Sequence, residues 1–243
     1  MGSAETHSTT EPSNAVGVLL LHGLTDSPDA FVPWADRLRD NGFVVSTPLL
    51  PGHGTSLGDL RRTGWRDWLR GAAEAFADLA RECRTVVVGG HSMGGALALE
   101  LAAAHPEIAA VLLVNPSVAH PSPFIPVLGV LKYVVPSLPN SRLVSKPGAP
   151  VTYYPRMPLA SIESMSQLWR HLETRLPEVK QPVLLFRSVA DGKAGELCAR
   201  RVLTGVSSDR AEEVPLPNSF HLAMLDYDAE LIFDSSVKFL KSL

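Results

Sequence analysis

Thr85-Val86-Val87-Val88-Gly89-Gly90-His91-Ser92-Met93-Gly94-Gly95-Ala96-Leu97-Ala98-Leu99 decides the fold. Its first half is a short β-branched run, the pattern of a strand buried on both faces, and its second half is an Ala/Leu-rich helix former. Between them stands the pentapeptide Gly90-His91-Ser92-Met93-Gly94. A serine at the centre of G-x-S-x-G, with a strand before it and a helix after it, marks a tight, strained turn that raises its hydroxyl above the carboxyl edge of a sheet. Side chains two residues to either side would meet the neighbouring strand and helix, which explains the glycines. Ser92 is the candidate nucleophile.

Working outward, strands are expected at 16–21, 44–47, 85–89, 110–115, 183–186 and, more weakly, 213–216, and helices at 30–41, 65–82, 93–105, 161–176 and 229–240. In the first helix Phe31, Trp34, Ala35 and Leu38 recur at helical spacing, and Gly42 sits where a C-terminal cap belongs. Continuous apolar strands without polar alternation belong to parallel sheets covered on both faces by right-handed crossover helices. The expected fold class is α/β, a mostly parallel central sheet of about six to seven strands flanked by helices.

The repeat breaks after Pro116. Residues 119–160 carry nine prolines and no Asp or Glu. Proline interrupts helix interiors and central strands, while Phe124, Ile125, Val127, Leu128, Val130, Leu131, Tyr133, Val134 and Val135 are too apolar for a solvated linker. The segment reads as a cap or lid insertion dividing a core of 16–118 and 161–243, its apolar run packed inward over a pocket rather than outward onto lipid aggregates. Residues 1–15 are polar, without the basic start and apolar centre of a secretory signal, and are expected to form a disordered tail.

Composition narrows the partners. With 243 residues, 22 Lys+Arg against 25 Asp+Glu and a net charge of −3, the chain offers one domain and no basic face for nucleic acid. Its apolar stretches fall short of the roughly 18–20 residues that span a bilayer. Cys83 and Cys198 show neither metal nor redox spacing, which fits a reducing cytoplasm. No motif points to a metal or organic cofactor, and the oligomeric state is left open.

A serine hydroxyl becomes nucleophilic when a histidine takes its proton and a carboxylate fixes that histidine. Behind a G-x-S-x-G elbow the order is Ser, then Asp or Glu, then His, the last two on loops after the final strands. Of eight histidines, His7, His22 and His53 precede Ser92, His91 is its neighbour, and His105, His120 and His171 precede the last strands. His221, in Pro217-Asn218-Ser219-Phe220-His221, remains as the base. Asp191 follows the 183–186 strand and is the carboxylate, whereas Asp226 and Asp228 read as N-cap acids of the last helix. The Met93 N–H at the elbow and the Leu24 N–H in His22-Gly23-Leu24-Thr25 are candidate oxyanion donors, with His22 and His53 holding turns.

With Leu21-His22-Gly23-Leu24-Thr25, Pro51-Gly52-His53-Gly54-Thr55, Gly90-His91-Ser92-Met93-Gly94-Gly95 and Asn218-Ser219-Phe220-His221-Leu222-Ala223-Met224-Leu225-Asp226-Tyr227-Asp228 in view, the chain resembles the α/β-hydrolase superfamily. Within it, the likeness is to small bacterial carboxylesterases and monoacylglycerol lipases, from about residue 16 onward. The resemblance implies a Ser92–Asp191–His221 triad, Leu24 and Met93 as oxyanion donors and substrate contacts, Phe124 as a further contact, and residues 119–160 as a cap over an acyl pocket. It implies a serine carboxylesterase or lipase that works through an acyl-enzyme on a short- to medium-chain ester or lipid. An acyltransferase or perhydrolase with the same triad, or a non-catalytic ligand-binding homologue, is the alternative. The chain departs from the group in two places. Asp191 is followed by Gly192-Lys193-Ala194-Gly195 rather than an apolar Val-Val-Pro-like stretch, and the cap lacks the Glu that holds glycerol hydroxyls in monoglyceride lipases.

Overall fold

The computed structural model describes residues 13–140, 144–149 and 154–243. In chain order it comprises β1 (Ser13–Leu21), α1 (Val32–Asp40), β2 (Val44–Ser46), α2 (Leu57–Arg62), α3 (Trp65–Glu82), β3 (Cys83–His91), α4 (Met93–Ala104), β4 (Val111–Val114), α5 (Leu128–Leu131), β5 (Ser137–Pro139), β6 (Arg156–Pro158), α6 (Leu159–Arg175), β7 (Val183–Ser188), α7 (Gly192–Gly205), β8 (Ala211–Leu216) and α8 (Ala229–Leu240). Six strands form one sheet in the order β2-β1-β3-β4-β7-β8, every neighbouring pair parallel. The chain steps from β1 out to β2, returns to β3 on the other side of β1 and continues outward through β4, β7 and β8, all parallel, so the carboxyl ends of the strands open along one edge, where ligand sites of doubly wound sheets form.

Alternation along the strands divides the core. Leu19, Leu21, Val86, Val88, Val111, Leu113, Val183 and Leu185 pack against α3, α4, α6 and α7, and Val18, Leu20, Val87, Leu112, Val114, Leu184 and Phe186 pack against α1 and α8. Successive side chains point to opposite faces of a strand, so a strand covered on both sides must be apolar at every position. Trp34 and Leu38 seal one layer and Trp68, Ala72 and Phe76 the other.

The tail expected through residue 15 lies outside the described residues up to position 12. Ser13 to Ala15 belong to β1 instead, Ser13 standing opposite Cys83. Between 119 and 160 the described residues form a 3-10 turn (Ile125–Val127), α5 and the antiparallel pair β5–β6, with 141–143 and 150–153 outside the description. Pro139 and Pro158 stand at strand ends, where a missing N–H is tolerated.

The apolar run of this segment faces two ways, which corrects the expectation of inward packing. Ile125, Leu128, Leu131 and Leu138 line a cavity, whereas Val127, Val130, Tyr133 and Val134 point outward, Tyr133 being 80 % exposed. A single helical turn offers only one inner side, so an unbroken apolar run across it must present residues on the other side as well. Among the described residues no helix is long and apolar enough to cross a membrane.

Candidate active site

Ser92 joins β3 to α4 with φ 53° and ψ −113°, a conformation that costs a non-glycine residue on the order of 1–3 kcal/mol. The turn is held from both sides. The Ser92 N–H donates to Val114 O at 3.1 Å, and Ser92 O accepts from Ser117 N at 2.9 Å and Ala96 N at 3.3 Å. The close approach of α4 to β1 demands glycine: a Cβ on Gly94 would lie 1.8 Å from Leu21 O, and one on Gly90 would lie 2.3 Å from the Gly94 carbonyl carbon.

The loop after β8 brings His221 Nε2 to 3.0 Å from Ser92 Oγ, and Asp191 Oδ2 lies 2.7 Å from His221 Nδ1. An ionised carboxylate only accepts, so Nδ1 carries the proton and Nε2 is left to accept from the serine hydroxyl. Burial pushes His221 down, but the hydrogen bond and charge of Asp191, with the charge of Asp26, outweigh it and hold its pKa above 6.5. Burial likewise works against the ionised Asp191, yet its bond to His221 and the charges of His221 and His91 leave its pKa below the ordinary value.

Asp191 closes a 3-10 turn directly ahead of α7. The unusual Gly192-Lys193-Ala194-Gly195 stretch is thus the first turn of a helix. Gly192 takes φ 61°, and a Cβ on Gly195 would sit 2.9 Å from the Asp191 Cβ. Gly195 thus makes room for the Asp191 side chain, while Gly192 supplies the left-handed backbone, with open space around its own Cβ position.

Leu24 lies in the loop after β1, and its N–H, like that of Met93, donates no hydrogen bond among the described residues. His22 Nε2 accepts the Leu50 N–H at 3.1 Å, which leaves Nδ1–H to donate to Gly23 O at 2.9 Å. In a trans peptide the N–H points opposite to the C=O. Pulling Gly23 O one way therefore aims the Leu24 N–H the other way. His53 Nε2 holds Leu24 O at 2.7 Å. Both histidines are turn-holders. Burial, then the charge of His53, lowers the His22 pKa to about 4, and burial lowers that of His53.

Sequence reasoning missed the layer behind His221. The His221 carbonyl accepts from Asn115 Nδ2 at 2.7 Å and from His91 Nε2 at 3.0 Å, and His91 Nδ1 lies 2.9 Å from the buried Asp26 Oδ2. Asn115, at φ 45°, also exchanges bonds with Ser188, whose hydroxyl donates to Phe220 O. Asp226 and Asp228 do not cap α8 through their carboxylates. Asp228 accepts from Asn218 N and Nδ2, while Asp226 accepts from Phe220 N, Ser145 N and Lys146 N. The sequence signal available was their spacing from Asn218 and Phe220, which lets the loop fold back on itself.

Two cavities meet at Ser92. One of about 530 Å³ runs under α5 and α6, among Leu128, Leu131, Ile162, Met165 and Trp169. Phe124 stands at its rim and is 69 % exposed. The other, about 240 Å³, is bordered by Thr25, Asp26, His91 and Asn140. Among the described residues no group of three or more His, Cys, Asp or Glu is placed to hold a metal ion.

The profile of the alpha/beta hydrolase family matches residues 18–233. The chain belongs to the α/β hydrolase family. Among its relatives is the thermostable monoacylglycerol lipase of Bacillus sp. (strain H-257), 34 % identical over 226 residues that span 92 % of this chain and 90 % of the lipase. A solved structure from the work on LipS and LipT, two metagenome-derived lipolytic enzymes, superimposes on this α/β hydrolase with a TM-score of 0.90, at 30 % identity and 96 % coverage of each chain. The monoacylglycerol lipase of Paleococcus ferrophilus shares the fold, with a TM-score of 0.80 at 23 % identity and 96 % of each chain covered.

Proposed function

We propose that this α/β hydrolase is a serine carboxylic-ester hydrolase acting through an acyl-enzyme on short- to medium-chain esters. The observation that carries the reading is the hydrogen-bonded series Ser92 Oγ, His221 and Asp191, with separations of 3.0 and 2.7 Å, at the junction of two cavities. Ser92 Oγ attacks the ester carbonyl carbon as its proton passes to His221 Nε2. The N–H groups of Leu24 and Met93 receive the oxyanion. Asp191 stabilises the imidazolium, which then protonates the leaving alcohol. Water repeats the sequence in deacylation, and every proton is carried by His221, so the chemistry asks for no metal or organic cofactor. Leu24 and Met93 border the reacting carbonyl, the acyl chain lies in the larger cavity, and residues 119–160 serve as its cap with Phe124 at the entrance.

Ser92→Ala is expected to lower kcat by about 10⁶-fold on a p-nitrophenyl ester, the scale for loss of a triad serine. A fluorophosphonate is expected to label Ser92 in the native protein, read by mass spectrometry of the peptide. Undiminished turnover in the variant, or no label, overturns the reading.

A further inference from the structure

We propose that Trp169 is a positioning residue that carries contact with the acyl chain to the Met93 oxyanion donor, so that this hydrolase reads acyl length in kcat. The proposal rests on the acyl-enzyme reading of Ser92.

The path begins on α6. Ile162, Met165 and Trp169 recur at helical spacing on the face that lines the larger cavity. The buried Trp169 indole turns its Nε1–H away to donate to Ser117 O at 2.7 Å. The Ser117 N–H in turn donates to Ser92 O at 2.9 Å. Only the φ and ψ of Ser117 separate the bond it accepts from the bond it donates. Ser92 O belongs to the peptide unit that carries the Met93 N–H, and in a trans peptide these two groups point in opposite directions. The pull of Ser117 on Ser92 O therefore aims the Met93 N–H to the other side, as His22 aims the Leu24 N–H through Gly23 O.

The receiving end of the path is a strained turn. Ser92 holds φ 53° and ψ −113°, a conformation that persists only where its surroundings over-determine it, and the other donor to Ser92 O, the Ala96 N–H, stands further off at 3.3 Å. The segment that Trp169 pins also reaches the base, since Asn115 Nδ2 donates to His221 O at 2.7 Å. An acyl chain beneath α6 packs against the ring whose N–H holds Ser117. An acetyl group ends one carbon past the carbonyl and leaves that space to water. At roughly 30 Å³ per water-sized group, an octanoyl chain fits within about 530 Å³. Binding energy from a remote part of a substrate raises kcat where it improves the geometry around the reacting atoms, and this path delivers it to an oxyanion donor.

The test measures kcat and KM separately for p-nitrophenyl acetate and p-nitrophenyl octanoate, in the wild-type protein and in Trp169→Phe, which keeps an aromatic wall and removes the N–H. The wild type is expected to turn over the octanoate about tenfold faster than the acetate. The variant is expected to lose about tenfold in kcat on the octanoate and less than about threefold on the acetate, with its octanoate KM within about twofold of the wild type. A rise in octanoate KM at unchanged kcat leaves Trp169 as a lining residue and overturns the proposal. An equal fall in kcat for both esters marks a general loss of structure and overturns it as well. A second measurement needs only the native protein, so it stands even where the variant does not fold. From acetate through butyrate and hexanoate to octanoate kcat is expected to rise, and a kcat that stays level while KM falls overturns the proposal. A native protein that cleaves none of these esters and resists the fluorophosphonate defeats the reading of Ser92 itself.

Discussion

Two aspartate–histidine couples stand side by side in this molecule, His91 and His221 with ring centroids 4.8 Å apart, and they hold their protons differently. His221 has an acceptor on one side, Asp191, and a donor on the other, the Ser92 hydroxyl, so a neutral ring satisfies both. His91 has acceptors on both sides, Asp26 and the His221 carbonyl, so its couple binds one proton more. The residue types are the same. What differs is the group at the far nitrogen, a hydroxyl that donates to His221 and a carbonyl that accepts from His91.

The largest expected effect breaks the couple that works on Ser92. Asp191→Asn leaves the imidazole without its anionic partner, and kcat should fall about 10⁴-fold. The pH profile should move as well. Hydrolysis needs neutral His221, so kcat/KM falls as pH drops through a pKa held above 6.5; without Asp191, burial prevails and that acid limb shifts to lower pH. Steady-state kinetics between about pH 4 and 9 check both. A small loss of kcat with an unmoved limb would erase the distinction between the couples.

The second couple is expected to show itself in stability. His91→Leu leaves Asp26 buried without its partner and should cost about 3–5 kcal/mol in urea unfolding. The double variant Asp26→Leu/His91→Leu should lose less than the single one, because the uncompensated charge goes too. A double variant at least as unstable as His91→Leu contradicts an uncompensated Asp26 charge as the source of the loss.

His22 gives the comparison a third point, a buried histidine without a carboxylate bonded to its ring. Its pKa is lowered to about 4, against 6.5 for an ordinary histidine, so the unfolded chain takes up this proton at a higher pH than the folded one. Stability is full above about pH 6.5 and declines toward pH 4, by about 3 kcal/mol in all. His22→Gln keeps an acceptor for the Leu50 N–H and should flatten that decline in urea midpoints. An unchanged slope would mean that the proton uptake comes from elsewhere.

The sheet was legible because each strand is buried on both faces and so carries no polar interruption; α3 and α8 occupy the very spans that apolar spacing outlines, Trp65–Glu82 and Ala229–Leu240. The short α2 was not read, since six residues hold too little periodicity and only the Ser56 cap on the Asp59 N–H marks it. Ser92, Asp191 and His221 could be named because each stands in a turn after a strand, where position implies direction. The Asp26–His91 couple could not: its members are 65 residues apart, and they meet only because β1 and β3 are neighbours that end together. Nothing in Gly90-His91-Ser92 tells which way the His91 ring turns. The outward side of α5 escaped for a similar reason, since an apolar run says how much surface is hydrophobic but not which part of it is covered.

The Asp226 carboxylate has a consequence for remodelling the molecule. It bonds Phe220 N in the histidine loop and, from the far segment, Ser145 N and Lys146 N. The two parts are thus not independent modules: a transplanted roof that changes acyl preference fits this chassis only if it offers two successive backbone amides at 145 and 146. Proline is excluded at both positions, and Pro147 stands one residue beyond that limit.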